Sequence, residues 1–260
     1  MAPRRLVLAV GLVVLVALLG GCVALPTTDD TPDPADVFED TFVHSDDLED
    51  IHGERTTTVT HGDESRTEVV AVAERPYVEY RSEILESPAE DRVGAVYVSN
   101  ATAAWQYLPE SNTATVYEAA EPYDNDVVEA ARADEADRQR DRYDLEYRGT
   151  ETVADREAHV LAVEATNESV ADGISLLVGD TEFVYALETV EPSDDLAVTE
   201  QTIWIDTEYA YPLKETVVAE VDGETYEYSE RFEDITFNDG LDDQTFAFEP
   251  PENASVEEFT

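Results

Sequence analysis

The chain has almost no lysine. Of its 15 basic residues one is a lysine, Lys214, and the others are arginines, against 62 aspartates and glutamates, for a formal net charge of −47 over 260 residues. That shortage removes the basic patch on which phosphate-backbone binding depends, so nucleic acid is not expected as a partner. Cysteine is as scarce: Cys22 stands alone, which excludes an intramolecular disulfide and a cysteine-based metal cluster. The four histidines, His44, His52, His61 and His159, show no His-x-x-x-His spacing, and without cysteine partners a zinc site is not expected. The acidic stretch "DDTPDPAD" lacks the glycine and closing glutamate of an EF-hand loop. Neither a Gly-x-Ser-x-Gly elbow nor a phosphate-cradling glycine loop occurs. Paired carboxylates carry no information in a chain with so many of them. No enzyme activity and no cofactor are therefore expected.

What is present is enough to fold. Hydrophobic residues make up 42% and aromatics 9% of the chain, including 13 tyrosines, which suffices for a packed core. The opposing reading is an acidic disordered protein, since a charge this large repels itself. The two reconcile in concentrated salt, where the Debye length shrinks to about 3 Å at 1 M and surface carboxylates barely sense one another. Dense acid with almost no lysine is the expected surface of a halophile's protein.

The first 22 residues, "MAPRRLVLAVGLVVLVALLGGC", divide into a basic start at Arg4 and Arg5, an apolar run from Leu6 to Leu19, and small residues ending at Cys22. The run reads as a signal-peptide core rather than a membrane span, which needs about 20 apolar residues. Leu19-Gly20-Gly21-Cys22 resembles the lipobox of prokaryotic lipoproteins, in which the cysteine thiol takes the lipid. Cys22 is therefore the expected lipidation site, and the expected location is the cell membrane, lipid-anchored and facing the extracytoplasmic side. The alternative is an uncleaved N-terminal anchor. Arg4-Arg5 also resembles a twin-arginine export signal. Residues 23–33, with their Pro, Thr and Asp, read as a solvated tether, leaving 34–260 as the folded domain.

In that domain Asp33 can cap a helix that opens at Pro34, with Val37, Phe38, Phe42 and Leu48 on one stripe and an end near His52-Gly53. The period then changes to two. "RTTTVTH", "RTEVVAVAE", "YVEYRSEI", "AVYVS", "AAWQYLP" and "TATVYE" follow with short breaks, and no helix separates them. That pattern predicts an antiparallel meander with one wet face rather than a parallel α/β sheet. Residues 124–143 predict a charged helix. Its arginines lie at pair spacing with acids (Glu129–Arg132, Asp134–Arg138, Asp137–Arg140), a solvated face rather than a basic docking site. Strands resume with "LEYRGTETV", "EAHVLAVEAT", "QTIWIDT", a hairpin turning at Asp222-Gly223, and "QTFAFEP". Residues 167–200 read ambiguously, with "VADGISLLVGD" a candidate helix and "EFVYALETVE" a candidate strand. Asn100, Asn167 and Asn253 head tripeptides of the N-glycosylation type.

Aromatics crowd the strands: Tyr77, Tyr80, Tyr97, Trp105, Tyr107, Trp204, Tyr226, Tyr228 and Phe232. By spacing alone they fill a core; the other reading is a curved sheet enclosing a cavity for an apolar ligand. A resemblance favours the second. "VAERPYVEYRSEI", "VYVSNATAAWQYLPESNTATVY" and "ITFNDGLDDQTFAFEPPENASV" resemble, in order and spacing, the LolA/LolB lipoprotein-carrier family and its RseB-type relatives, here as a lipid-anchored halophilic, archaeal-type member. "IWIDTEYAYPLKETV" is similar to the family's wider relatives. The resemblance implies a mainly β fold, an incomplete antiparallel barrel covered by helices. It also implies a cavity for a lipid or a lipoprotein acyl chain, with Arg75, before Pro76, latching the helical lid. Arg75, Tyr80, Trp105, Tyr107 and Trp204 are the expected ligand-binding residues. A sensor or surface protein with a protein partner is the alternative function.

Overall fold

A computed structural model describes residues 31–166, 196–221 and 223–258. Arg4, Arg5, Cys22, Asn167, most of the tether and the two ambiguous segments between 167 and 195 lie outside the described residues.

The elements run α1 (Pro34–Val43), β1 (Ile51–His61), β2 (Glu64–Arg75), β3 (Glu79–Glu86), β4 (Val96–Ser99), β5 (Ala103–Leu108), β6 (Thr113–Glu118), α2 (Asn125–Arg140), β7 (Tyr143–Val153), β8 (Arg156–Ala165), β9 (Leu196–Asp206), β10 (Pro212–Val221), β11 (Glu224–Phe237) and β12 (Ser255–Glu258). The twelve strands form one open sheet in the order β12-β6-β5-β4-β3-β2-β1-β11-β10-β9-β8-β7. Two antiparallel meanders, β1–β6 and β7–β11, are thus stitched along β1 and β11, and the sheet does not close into a barrel. The fold is mainly β, among the described residues a curved open sheet with two α-helices, as expected.

The N-terminal helix ends earlier than its apolar stripe predicts. Asp33 caps it, its Oδ1 accepting from the Ala35 N–H at 2.9 Å, and Pro34 opens it. It stops after Val43 because His44 turns to φ 55°, with its N–H on the Asp40 carbonyl at 2.8 Å. Leu48 is buried from a loop rather than from a continued helix. That loop is held by Asp50, whose carboxylate accepts the N–H groups of Asp239, Gly240 and Leu241 at 3.0–3.1 Å. His52 and Gly53, read as the helix end, lie inside β1. Gly53 is required by close approach: a Cβ there would stand 2.2 Å from the Asp234 carbonyl oxygen, beside the register shift between β1 and β11.

The predicted strand "QTFAFEP" is a second difference. Residues Asp243–Phe246 form a 3-10 turn capped by Asp242, and Phe246 is buried. The last strand is instead β12, which runs parallel to β6. The hairpin at 222–223 is as expected: Val221 pairs with Glu224, and Gly223 supplies φ 80°.

The sheet buries apolar side chains on opposite faces at its two wings. On the β7–β9 wing, Leu161, Val163, Ile203 and Ile205 pack against Val37 and Phe38 of α1. On the β4–β6 wing, Val96 and Val98 lie in register with Tyr107 and Trp105, and these with Ala114 and Val116. Phe248 of the C-terminal segment stacks on Trp105 and Tyr107 at 5.7 and 6.0 Å. α2 packs along α1, and Arg140 bonds Glu39.

Candidate functional site

Between these sealed wings the sheet leaves a concavity of about 780 Å³. Its position follows from one cross-sheet row. Leu161 on β8 pairs with Ile203 on β9, Ile203 with Glu215 on β10, Glu215 with Glu230 on β11, Glu230 with Thr57 on β1, and Thr57 with Glu68 on β2. Directly paired residues point to the same face, so one face passes from hydrocarbon to carboxylate within three strands. From Glu215 onward the row lines the concavity, with Val70, Leu213, Phe232 and Tyr80 as its apolar wall. Tyr97, Ser99 and Gln106 continue the wall on β4 and β5, and Thr41, His44 and Arg132 reach it from the helices.

The ionised groups of the wall are closely matched. Glu230 faces Arg55 at 3.4 Å and accepts from the hydroxyls of Tyr228 at 3.0 Å and Thr57 at 3.2 Å. Arg55 is only 9% exposed along its side chain, so this pair is held in a poorly solvated place. Burial, then the Glu230 carboxylate, holds the Tyr228 phenol well above its ordinary value. Glu215 is 5% exposed and accepts from the Gln201 amide at 2.6 Å. Burial pushes its carboxyl up to about 7, helped by Glu230 and opposed by the Gln201 hydrogen bond. Glu68 takes Arg92 at 3.0 Å and the Ser87 hydroxyl at 2.8 Å.

The rim is built on three consecutive residues, Arg75, Pro76 and Tyr77. The Tyr77 hydroxyl donates to the Val43 carbonyl at the end of α1. Its ring stacks on His44, with centroids 6.1 Å apart, and Arg132 of α2 lies over it at 5.3 Å. Asn125 at the start of α2 donates to the Pro76 carbonyl at 3.2 Å. Burial, then Glu129, pushes the Tyr77 phenol up to about 12. Burial holds the His44 imidazole below its ordinary value, and its Nδ1 lies 3.3 Å from the Ala210 carbonyl oxygen. Tyr211, 5.1 Å from His44 ring to ring, donates to Glu74 at 2.8 Å.

Of the residues singled out as ligand contacts, Tyr80 lines the concavity. Arg75, Trp105 and Tyr107 are gathered elsewhere. Strand alternation places Trp105 and Tyr107 on the face opposite Gln106, under Phe248. Arg75 bonds Glu79 at 3.0 Å, Asp243 at 2.8 Å and the Leu241 carbonyl, and lies over the Phe246 ring. It latches the C-terminal segment rather than a helix. Trp204 donates to Glu151 at 2.8 Å and carries the Lys214 ammonium 3.9 Å above its ring, outside the lining. Asn100 is engaged in its turn, donating to the Phe246 carbonyl at 3.0 Å, whereas Asn253 is exposed. The helical pairing also differs: Arg138 pairs with Glu135, Arg140 leaves the helix for Glu39, and Arg132 turns to the concavity. Sequence reading missed Glu215, Glu230 and Arg55. The one available signal was Glu215, a carboxylate at an inward position of the otherwise apolar alternation Leu213-x-x-x-Val217.

A family model described as "Predicted periplasmic protein (DUF2092)" matches residues 191–259, which include β9 to β11. No curated relative matches the chain. Among solved structures, an uncharacterized conserved protein from Thermus thermophilus is 13% identical with a TM-score of 0.43, covering 86% of this chain and 96% of its own. MucB of Pseudomonas aeruginosa, solved with MucA, is 14% identical with a TM-score of 0.43, covering 84% of this chain and 62% of that one. A LolA superfamily protein from Nitrosomonas europaea is 12% identical with a TM-score of 0.34, covering 84% and 98%. At such identities and scores these likenesses bear on neither ligand nor partner.

Proposed function

We propose that the chain is an extracytoplasmic, lipid-tethered protein that binds one amphiphilic molecule noncovalently in the concavity. The observation that carries this reading is the mixed wall of a cavity of about 780 Å³, within the range of small-molecule sites. Val70, Leu213, Phe232 and Tyr80 offer an apolar surface to an alkyl chain, worth about 0.8 kcal/mol per buried methylene. Arg55, Glu230, Glu68 and Arg92 stand in the same wall. A wholly apolar ligand would strip water from these ions and give nothing back, so the apolar ligand expected from sequence is narrowed to an amphiphile. The tether is Cys22, and the acidic surface suits the domain to concentrated salt.

The test is to purify the full chain from membranes in molar KCl with a fluorinated surfactant, extract it with organic solvent, and identify what is released by mass spectrometry. A stoichiometric amphiphile is expected, and Val70→Trp, which fills the wall, should lose it while keeping its far-ultraviolet circular dichroism. Empty protein that also takes up no palmitate would overturn the reading. Cys22→Ser should move the chain from the membrane to the soluble fraction; retention in the membrane as before would end the lipid-tether reading.

A further inference from the structure

Each carboxylate lining the concavity already has a partner. Glu68 has Arg92 and Ser87, Glu74 has the Tyr211 hydroxyl, Glu79 has Arg75, Glu215 has Gln201, and Glu230 has Arg55, Tyr228 and Thr57. The cations differ. Arg55 and Arg92 are paired, and the Lys214 ammonium is committed to the Trp204 ring. Arg132 lines the concavity from α2, half-buried, and among the described residues no carboxylate lies within ion-pair distance of it; its contact is the face of Tyr77. In a chain with 62 acids and 15 bases, an arginine at a cavity mouth without a carboxylate is a donor set held for something else. The planar fork offers five N–H groups and matches a carboxylate or phosphate.

We infer that Arg132 anchors an anionic headgroup, so that the ligand is an amphiphilic anion. Its head sits at Arg132 of α2, beside the stacked Tyr77 and His44 rings, and its alkyl chain runs along Val70, Leu213 and Phe232. This rests on the amphiphile reading above. It adds a charge to it: the bulk field of the protein disfavours an anion, concentrated salt screens that field, and the local guanidinium then decides the sign.

The experiment compares three probes with the same sixteen-carbon chain: palmitate, hexadecanol and hexadecyltrimethylammonium. Their dissociation constants are measured by isothermal titration calorimetry on the full chain in fluorinated surfactant and molar KCl. Palmitate should bind about tenfold more tightly than hexadecanol, the scale of one charge-assisted fork, and the ammonium most weakly. Arg132→Gln should erase the preference for palmitate and leave hexadecanol unchanged; Arg132→Lys should keep part of it. Unchanged hexadecanol binding also shows that the variant is folded. If the three probes bind wild type equally, or if Arg132→Gln keeps the preference, the anion anchor is wrong while the amphiphile reading stands. If none binds, both fall.

Discussion

Two stretches of one cross-sheet row meet opposite fates. Leu161 and Ile203 on β8 and β9 are fully buried under α1, with Phe38 as the plug. Glu215 and Glu230, the next two residues of the same row, carry the polar centre of the concavity. Backbone geometry and pairing are alike in both stretches, and what differs is the cover. An amphipathic helix gives hydrocarbon something to pack against, so aliphatic residues are stable there. Past the end of the helix, at His44, the row faces the concavity instead of Phe38, and its polar groups are held by bonds to one another, Glu230 by Arg55, Tyr228 and Thr57 and Glu215 by Gln201. The end of α1 thus sets the boundary between core and site.

The largest effect is expected at the plug. Phe38→Ala should lower the stability of the domain by about 3–5 kcal/mol, read as a fall in the denaturant midpoint at constant molar salt. A loss below about 1 kcal/mol would mean that α1 does not seal the wing. Glu215 sharpens the polar side. Its carboxyl is raised by burial from 4.5 to about 7, so between these values the folded state holds a proton that the unfolded state has lost. Stability from this group is therefore full below about pH 4.5 and is lost as pH rises through about 7. The span corresponds to about 3 kcal/mol. Glu215→Gln should match wild type near pH 4.5 and exceed it above pH 7, in denaturation series at matched salt; parallel curves would show that Glu215 is not buried as a carboxyl. The smallest effect is at Thr57, which follows Glu230 in the row. Thr57→Val removes one hydroxyl from Glu230 and should cost about 1 kcal/mol, with no change in the wild-type pH slope.

Much of the sheet was legible because strands that pair in chain order leave a local signature. The period of two in β2, the breaks between β3 and β6, and the turn at 222–223 are all short-range facts. Asp33 is a cap that can be read from one residue and its followers, and it accepts the expected N–H bond; Asp124 caps α2 in the same way. The end of α1 was not legible. Leu48 continues the stripe in sequence, and only the distant segment 238–241, pinned to Asp50, shows that it belongs to a loop. Phe246 and Phe248 alternate like a strand, yet each is held by a different partner, Arg75 for one and Trp105 with Tyr107 for the other.

The candidate site shows the same division. Alternation states that Trp105 and Tyr107 share a face and Gln106 takes the other, and it is silent on which face is concave. Every residue of β5 is at least partly exposed, so hydrophobic contrast gives no guide there. The large aromatics went to the face that the C-terminal segment covers, and the polar residue went to the cavity. The strand period, the helix starts, the acid-rich composition and the lone Cys22 are set by the order of residues along the chain. That β1 joins β11, that β12 closes on β6, which face is hollow, and that Arg132 at the concavity meets the Tyr77 ring rather than a carboxylate among the described residues come only with the folded sheet. The reason is physical: period and capping are set by neighbours along the chain, whereas curvature, cover and charge pairing depend on residues that only the folded sheet brings together.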